Sequence, residues 1–138
     1  MRIAVIKYNS GNVQSVLYAL QRIGVEAEVT DDVATIQMAD KVIFPGVGHA
    51  GSAMKYLKEN GLDKIIVKLT HPVLGICLGM QLMCSFSAEG DTACLGIFDS
   101  EIKLFESAAC KVLQVGLNNI YDYRSVLFYG LHEGDFVY

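Results

Sequence analysis

The chain has 138 residues, of which 52% are apolar and 19% charged, and its formal net charge is −4. This length suits one compact domain, 1–138, and so many apolar residues exclude a disordered chain because they can bury a core. The Lys and Arg residues are scattered, so no nucleic-acid partner is expected. No apolar stretch approaches the ~20 residues of a membrane span and no signal peptide is recognisable, which favours a cytoplasmic protein.

Short apolar runs alternate with amphipathic stretches along the first 84 residues. Read in chain order, the apolar runs predict strands at 2–6, 25–30, 41–44 and 73–76. The stretches between and after them predict helices at 12–23, 51–57, 62–69 and 78–84, with Gly24 as the helix C-cap of the first. This alternation is typical of βαβ units, so we expect an α/β fold with a mostly parallel central sheet flanked by helices, of the flavodoxin-like type.

The remaining residues predict strands at 101–105, 111–115 and 135–138 without helices between them. The chain stops inside the last of these runs. We therefore expect a fold whose C-terminal part is missing.

The segment from Gly75 to Gly79 carries the strongest chemical signal. A predicted buried strand runs into Gly-x-Cys-x-Gly and then into a predicted helix, which is the cysteine form of a nucleophile elbow. The tight turn predicts a strained backbone at Cys77 and small residues on either side. The helix N-terminus favours the thiolate, and the N–H of Leu78 is expected to be free to stabilise an oxyanion. Alternatively, Cys77 is one more small core residue, as Cys84, Cys94 and Cys110 are expected to be.

A second glycine-rich turn, 45–49, follows the third predicted strand. Loops at the carboxyl ends of neighbouring parallel strands converge, so this turn is expected beside the elbow, where it could supply a second oxyanion donor. Taken alone it is a generic turn. None of the three histidines is a convincing base for Cys77: His49 is expected to be structural, His71 precedes the elbow strand at its wrong end, and His132 lies in a polar turn. Cysteine spacing favours neither metal nor disulfide, and no cofactor is expected.

Four motifs occur in this order along the chain: Tyr8-Asn9-Ser10-Gly11-Asn12, Pro45-Gly46-Val47-Gly48-His49, Gly75-Ile76-Cys77-Leu78-Gly79-Met80-Gln81 and Ser87-Ala88-Glu89-Gly90. Together they resemble those of one family, the glutaminase subunits of imidazole glycerol phosphate synthase, which are class I glutamine amidotransferases. The elbow alone would fit any class I amidotransferase, and the combination narrows the resemblance to this subunit.

The resemblance implies that the chain hydrolyses glutamine through a thioester on Cys77. The backbone N–H groups of Leu78 and Val47 would hold the oxyanion. Residues that match glutamine-binding positions are Gly48, Gln81 and Glu89. Ammonia would pass to a (β/α)₈ cyclase partner that makes imidazole glycerol phosphate in histidine biosynthesis, and residues 8–12 match a region near that partner.

The chain also departs from the family pattern. Family members place the catalytic His and Glu in a His-Pro-Glu segment beyond the point where this chain stops, so we expect little or no turnover. Leu113, Val115, Leu117 and Val126 stand where Pro, Met, Trp and Pro are usual, which puts partner docking in doubt. Three alternatives stay open: another cysteine hydrolase of the superfamily, a non-catalytic binding or regulatory subunit, and self-association through an exposed sheet edge.

Overall fold

The computed structural model describes residues 1–9, 12–105, 116–122, 124–132 and 134–137. The chain divides into two compact units, 1–104 and 105–138. The first unit contains a four-stranded parallel sheet in the order β2-β1-β3-β4. The predicted α/β fold with a parallel sheet flanked by helices is confirmed.

The elements of this sheet and its helices follow the predicted order closely. They are β1 (Ile3–Ile6), α1 (Val13–Arg22), β2 (Glu28–Thr30), α2 (Val33–Met38), β3 (Lys41–Phe44), α3 (Ala50–Glu59), α4 (Leu62–Ile66), β4 (Val73–Gly75) and α5 (Leu78–Met83). Helix α1 ends at Arg22 with Ile23 as its C-cap, so the predicted cap at Gly24 is one residue too late; Gly24 follows at φ 71 and donates its N–H to the carbonyl of Gln21 at 3.0 Å. Only α2 is absent from the predicted elements. It spans six residues and is capped by Asp32, whose carboxylate accepts the N–H of Thr35 at 2.7 Å.

The central strands of the parallel sheet, β1 and β3, are covered on both faces, which explains why β1 is a continuous apolar run. In β1, Ile3 and Val5 pack with Ile43 of β3 against the α1 side of the sheet. Ala4 and Ile6 join a larger cluster on the other side, to which α2, α3, α4 and α5 contribute. Because successive side chains of a strand point to opposite faces, a strand between two layers of helices needs apolar residues at every position.

A second, three-stranded sheet follows α5 in the order β6-β5-β7. Its strands are β5 (Cys84–Ser87), β6 (Thr92–Ala93) and β7 (Phe98–Ile102). The predicted strand at 101–105 is therefore displaced, because β7 pairs parallel to β5 and ends at Ile102. Residue 84, predicted to be helical, begins β5. This sheet positions the turn between β5 and β6, which carries Glu89.

In the second unit, β8 (Asn118–Asn119) pairs antiparallel with β9 (Phe136–Val137), and a 3₁₀ turn spans Val126–Phe128. The strand predicted at 135–138 is confirmed at Phe136–Val137, while residue 138 lies outside the described residues. The strand predicted at 111–115 lies entirely outside them. Within the described part of both units, no helix is long and apolar enough to span a membrane.

Candidate active site

Cys77 occupies a sharp turn between β4 and α5. Its backbone angles are φ 52 and ψ −116, and its side chain is exposed. A non-glycine residue in this region costs on the order of 1–3 kcal/mol and persists only where its surroundings impose it. The surroundings do so here, because the N–H of Ile76 donates to the carbonyl of Phe44 at 3.0 Å and the N–H of Gly79 donates to that of Ile76 at 3.0 Å. The predicted strained elbow is confirmed.

The two glycines around Cys77 leave no room for a side chain. A Cβ on Gly79 would lie 1.7 Å from the carbonyl oxygen of Phe44, and one on Gly75 would lie 2.7 Å from the Cα of Met80. Real side chains do not make such contacts. The glycines therefore let α5 start directly against β3 and β4, so that Cys77 lies at the carboxyl edge of the sheet.

The loop after β3 lies beside the elbow, as the parallel topology predicts. Tyr8 binds this loop from the core, where its buried hydroxyl donates to the carbonyl of Pro45 at 2.7 Å. A Cβ on Gly46 would lie 1.8 Å from that hydroxyl oxygen, and Gly48 adopts φ 116. Tyr8 therefore supports this loop, a role that the sequence motif alone does not reveal.

The N–H of Leu78 contacts this loop directly. It donates to the carbonyl oxygen of Gly46 at 3.2 Å. The expectation that this N–H is free is therefore wrong for the conformation in this structure. The elbow and the loop are joined by the very group that was predicted to hold an oxyanion.

The structure brings Glu89 to the same loop from the turn between β5 and β6. One of its carboxylate oxygens accepts the N–H of Ala50, the first residue of α3, at 2.9 Å. Ala50 is two residues after Gly48, so the bond to Ala50 brings the Glu89 carboxylate close to Gly48. Gln81 lies one helical turn after Cys77, and its N–H donates to the carbonyl of Cys77 at 3.0 Å.

The three histidines differ in position. His49 caps α3, its Nδ1 accepting the N–H of Gly51 at 3.1 Å, which confirms the structural role expected of it. His71 lies at the amino end of β4, and its buried Nε2 has no hydrogen-bond partner in the described part of the chain. His132 belongs to the second unit, where its backbone N–H donates to Asp135 at 2.8 Å.

The other described cysteines are free thiols inside or near the core. Cys84 is buried and Cys94 partly buried. Burial, followed by the neighbouring Cys84, raises the pKa of the Cys94 thiol. Their burial makes both thiols poorer candidates for the nucleophile than the exposed Cys77. No group of three His, Cys, Asp or Glu residues in the described ranges could hold a metal ion.

A cleft of about 590 Å³ opens at the amino ends of β1 and β2. Its lining includes Arg2, Glu26 and Met38. Cys77 follows the carboxyl end of β4 in the same parallel sheet, so this cleft lies at the opposite edge. Volume alone would point away from the strained cysteine, and we place the chemistry at the cysteine because ligands of open α/β sheets bind at the carboxyl ends of the strands.

Comparison with known proteins identifies this arrangement. The model of the family described as glutamine amidotransferase class-I matches residues 4–133. The chain belongs to the class I glutamine amidotransferase family. A crystal structure of a glutamine amidotransferase has the same fold, with a TM-score of 0.62 at 20% identity over 72% of this chain and 54% of that one.

Individual relatives of this amidotransferase share a more specific description. The imidazole glycerol phosphate synthase subunit HisH of Bacteroides fragilis (strain YCH46) is 55% identical over the whole chain, which covers 71% of that relative. The same subunit of Bacteroides thetaiotaomicron is 54% identical with equal coverage. That of Shewanella loihica is 40% identical over 97% of this chain and 64% of its own. The resemblance seen in the four sequence motifs is confirmed.

Proposed function

We propose that this chain is the glutamine-hydrolysing subunit of an imidazole glycerol phosphate synthase, converting glutamine to glutamate and ammonia. The observation that carries the proposal is the exposed Cys77 at φ 52 between β4 and α5. Identity of 55% with a subunit of that synthase over the full chain supports the specific assignment.

The reaction uses Cys77 as the nucleophile. Its thiolate adds to the side-chain amide carbon of glutamine and forms a tetrahedral oxyanion. The carbon–nitrogen bond then breaks, ammonia leaves with a proton from a general acid, and a thioester remains on Cys77. Water adds to the thioester carbon and loses a proton to a general base, and the thiolate leaves to release glutamate.

The oxyanion would be held by the backbone N–H groups of Leu78 and Val47. In this structure the Leu78 N–H donates to Gly46, so the carbonyl of Gly46 must turn away before an oxyanion can bind. That carbonyl and the N–H of Val47 belong to one planar peptide group. Turning this peptide over therefore releases the Leu78 donor and reverses the direction of the Val47 donor together. The rotation changes ψ of Gly46, where no Cβ opposes it, and φ of Val47.

Substrate recognition is assigned to Gly48, Gln81 and Glu89. Glu89 supplies a carboxylate for the α-ammonium group of glutamine, and its position beside the loop at 45–48 supports this role. Gln81 lies in the first turn of α5, four residues after Cys77, and its N–H bonds to the carbonyl of Cys77 at 3.0 Å, which keeps it close to the nucleophile. Gly48 has φ 116 and nothing within 4 Å of a Cβ position, so its backbone can be approached closely by a substrate.

Hydrolysis of the thioester needs a base, and the histidines of the first unit do not supply one. The Nδ1 of His49 already accepts the N–H of Gly51. His71 is six residues before Cys77, which is about 20 Å of extended chain at ~3.3 Å per residue. We therefore propose that the thioester forms faster than it is hydrolysed when no histidine of the first unit activates the water, because the absence of a general base typically costs ~10² to 10⁴ in rate.

The ammonia would be delivered to a (β/α)₈ cyclase subunit. Support for such a partner comes from the relatives, which are described as subunits of a synthase. We also propose a cytoplasmic location, because free thiols are typical of reducing compartments and the described cysteines are free.

The test is ammonia release from glutamine, with and without the cyclase. We expect a rapid release of about one ammonia per chain followed by a much slower phase. Cys77→Ala should abolish both phases, while the matched variant Cys94→Ala should retain them. Absence of any Cys77-dependent release would refute glutaminase function. A steady rate without a burst would instead refute slow hydrolysis, and testing His49→Ala and His132→Ala would then search for the base.

A further inference from the structure

The N-terminus of α3 is capped from two directions by two different side chains. His49 Nδ1 accepts the N–H of Gly51 at 3.1 Å. Glu89 accepts the N–H of Ala50, the preceding residue, at 2.9 Å, although it lies 39 residues away in the chain. The helix start therefore joins the loop after β3 to the turn between β5 and β6.

The imidazole of His49 also packs against that turn. A Cβ on Gly90 would lie 2.5 Å from the Cε1 of His49 and 2.9 Å from its Nε2, so the ring covers the backbone of Gly90. The turn has its own internal bonds: the N–H of Glu89 donates to Ser87 at 3.3 Å, and the hydroxyl of Thr92 donates to the carbonyl of Glu89 at 2.9 Å. These bonds shape the turn, while His49 and Ala50 fix it to α3.

We propose that His49 is a positioning residue for glutamine recognition, acting through Glu89. This inference rests on the function proposed above and deepens it. By capping α3 and covering Gly90, His49 holds the turn where one carboxylate oxygen of Glu89 binds the helix and the other faces a substrate ammonium. Charge pairing of this kind depends on exact distance because a charge-assisted hydrogen bond is short.

The kinetic consequence is specific. His49 lies at α3, whereas the nucleophile and its strained turn belong to β4 and α5. Loss of His49 should therefore weaken binding of molecules that carry the amino-acid group of glutamine. It should leave the intrinsic reactivity of the Cys77 thiol unchanged.

Two alkylating reagents separate these effects. A chloroketone analogue of glutamine reports recognition through the concentration that half-saturates Cys77 alkylation, and iodoacetamide reports thiol reactivity alone. In His49→Ala we expect the half-saturating concentration to rise about tenfold, with the maximal rate and the iodoacetamide rate within about twofold of the original chain. His49→Asn should restore most of the loss because Asn can cap a helix.

The matched control is Asp32→Ala, which removes the cap of α2 without touching the Glu89 turn. Its Cys77 should be alkylated by both reagents at the same rates, and with the same half-saturating chloroketone concentration, as in the original chain. Circular dichroism checks folding, and if His49→Ala does not fold, Gly90→Ala disturbs the same contact from the other side and should also raise the half-saturating concentration.

Three results would overturn the proposal. An unchanged half-saturating concentration in His49→Ala removes any positioning role. If alkylation of Cys77 in His49→Ala slows equally with the chloroketone and with iodoacetamide, the role of His49 is merely structural. The same holds if Asp32→Ala shows the same loss as His49→Ala. Absence of saturable, Cys77-dependent alkylation in the original chain refutes glutamine recognition itself, and this inference with it.

Discussion

Replacement of Gly79 by alanine tests the geometry of the elbow most directly. The new Cβ would start 1.7 Å from the carbonyl oxygen of Phe44, and even a separation of 3.0 Å requires the first turn of α5 to move by about 1.3 Å. Overpacking of a core costs about 1–3 kcal/mol. A displacement near 1 Å of a catalytic group can cost ~10² in rate. We therefore expect the free energy of unfolding of Gly79→Ala to be lower by about 1–3 kcal/mol. We also expect the glutamine chloroketone to alkylate its Cys77 about a hundredfold more slowly.

The assay combines urea unfolding with the rate of Cys77 alkylation. Gly24→Ala is the matched control, because nothing lies within 4 Å of its Cβ position and its cost comes only from φ +71. We expect about 1–2 kcal/mol of destabilisation and an unchanged alkylation rate for the control. If Gly79→Ala matches the original chain in both stability and alkylation, then the close contact between α5 and Phe44 does not fix the nucleophile, and the reasoning fails.

Two further substitutions test the supports of the site and of α2. Tyr8→Phe removes the buried hydroxyl that binds Pro45 and should lower the free energy of unfolding by about 1–3 kcal/mol. Urea unfolding measures this loss, and an unchanged unfolding midpoint would contradict the prediction. The hydrogen bond from the Thr35 N–H lowers the pKa of Asp32 below 3.8, so its stabilisation is present above 3.8 and lost as pH falls through the lower folded value. Asp32→Asn should therefore lose less stability between pH 7 and pH 3 than the original chain, and equal losses would refute this.

Local sequence determined the elbow and the sheet. A strand followed by Gly-x-Cys-x-Gly and an amphipathic run allows few other turns, so the elbow at Cys77 can be predicted from neighbouring residues, while the contacts with Phe44 that hold it come from the packed sheet. The apolar run of β1 likewise predicts a strand covered on both faces. The shorter elements were harder to predict, because six residues of α2 and two of β6 carry too little periodicity.

Only the tertiary structure decided the state of the site. The Leu78 N–H is engaged by Gly46, and Glu89 reaches Ala50 across 39 residues of sequence. Local patterns indicate which groups can donate or accept, but not which partner lies within hydrogen-bond distance once the strands are packed. That choice depends on how the carboxyl ends of β3, β4 and β5 converge, which is a property of the whole first unit rather than of any one motif.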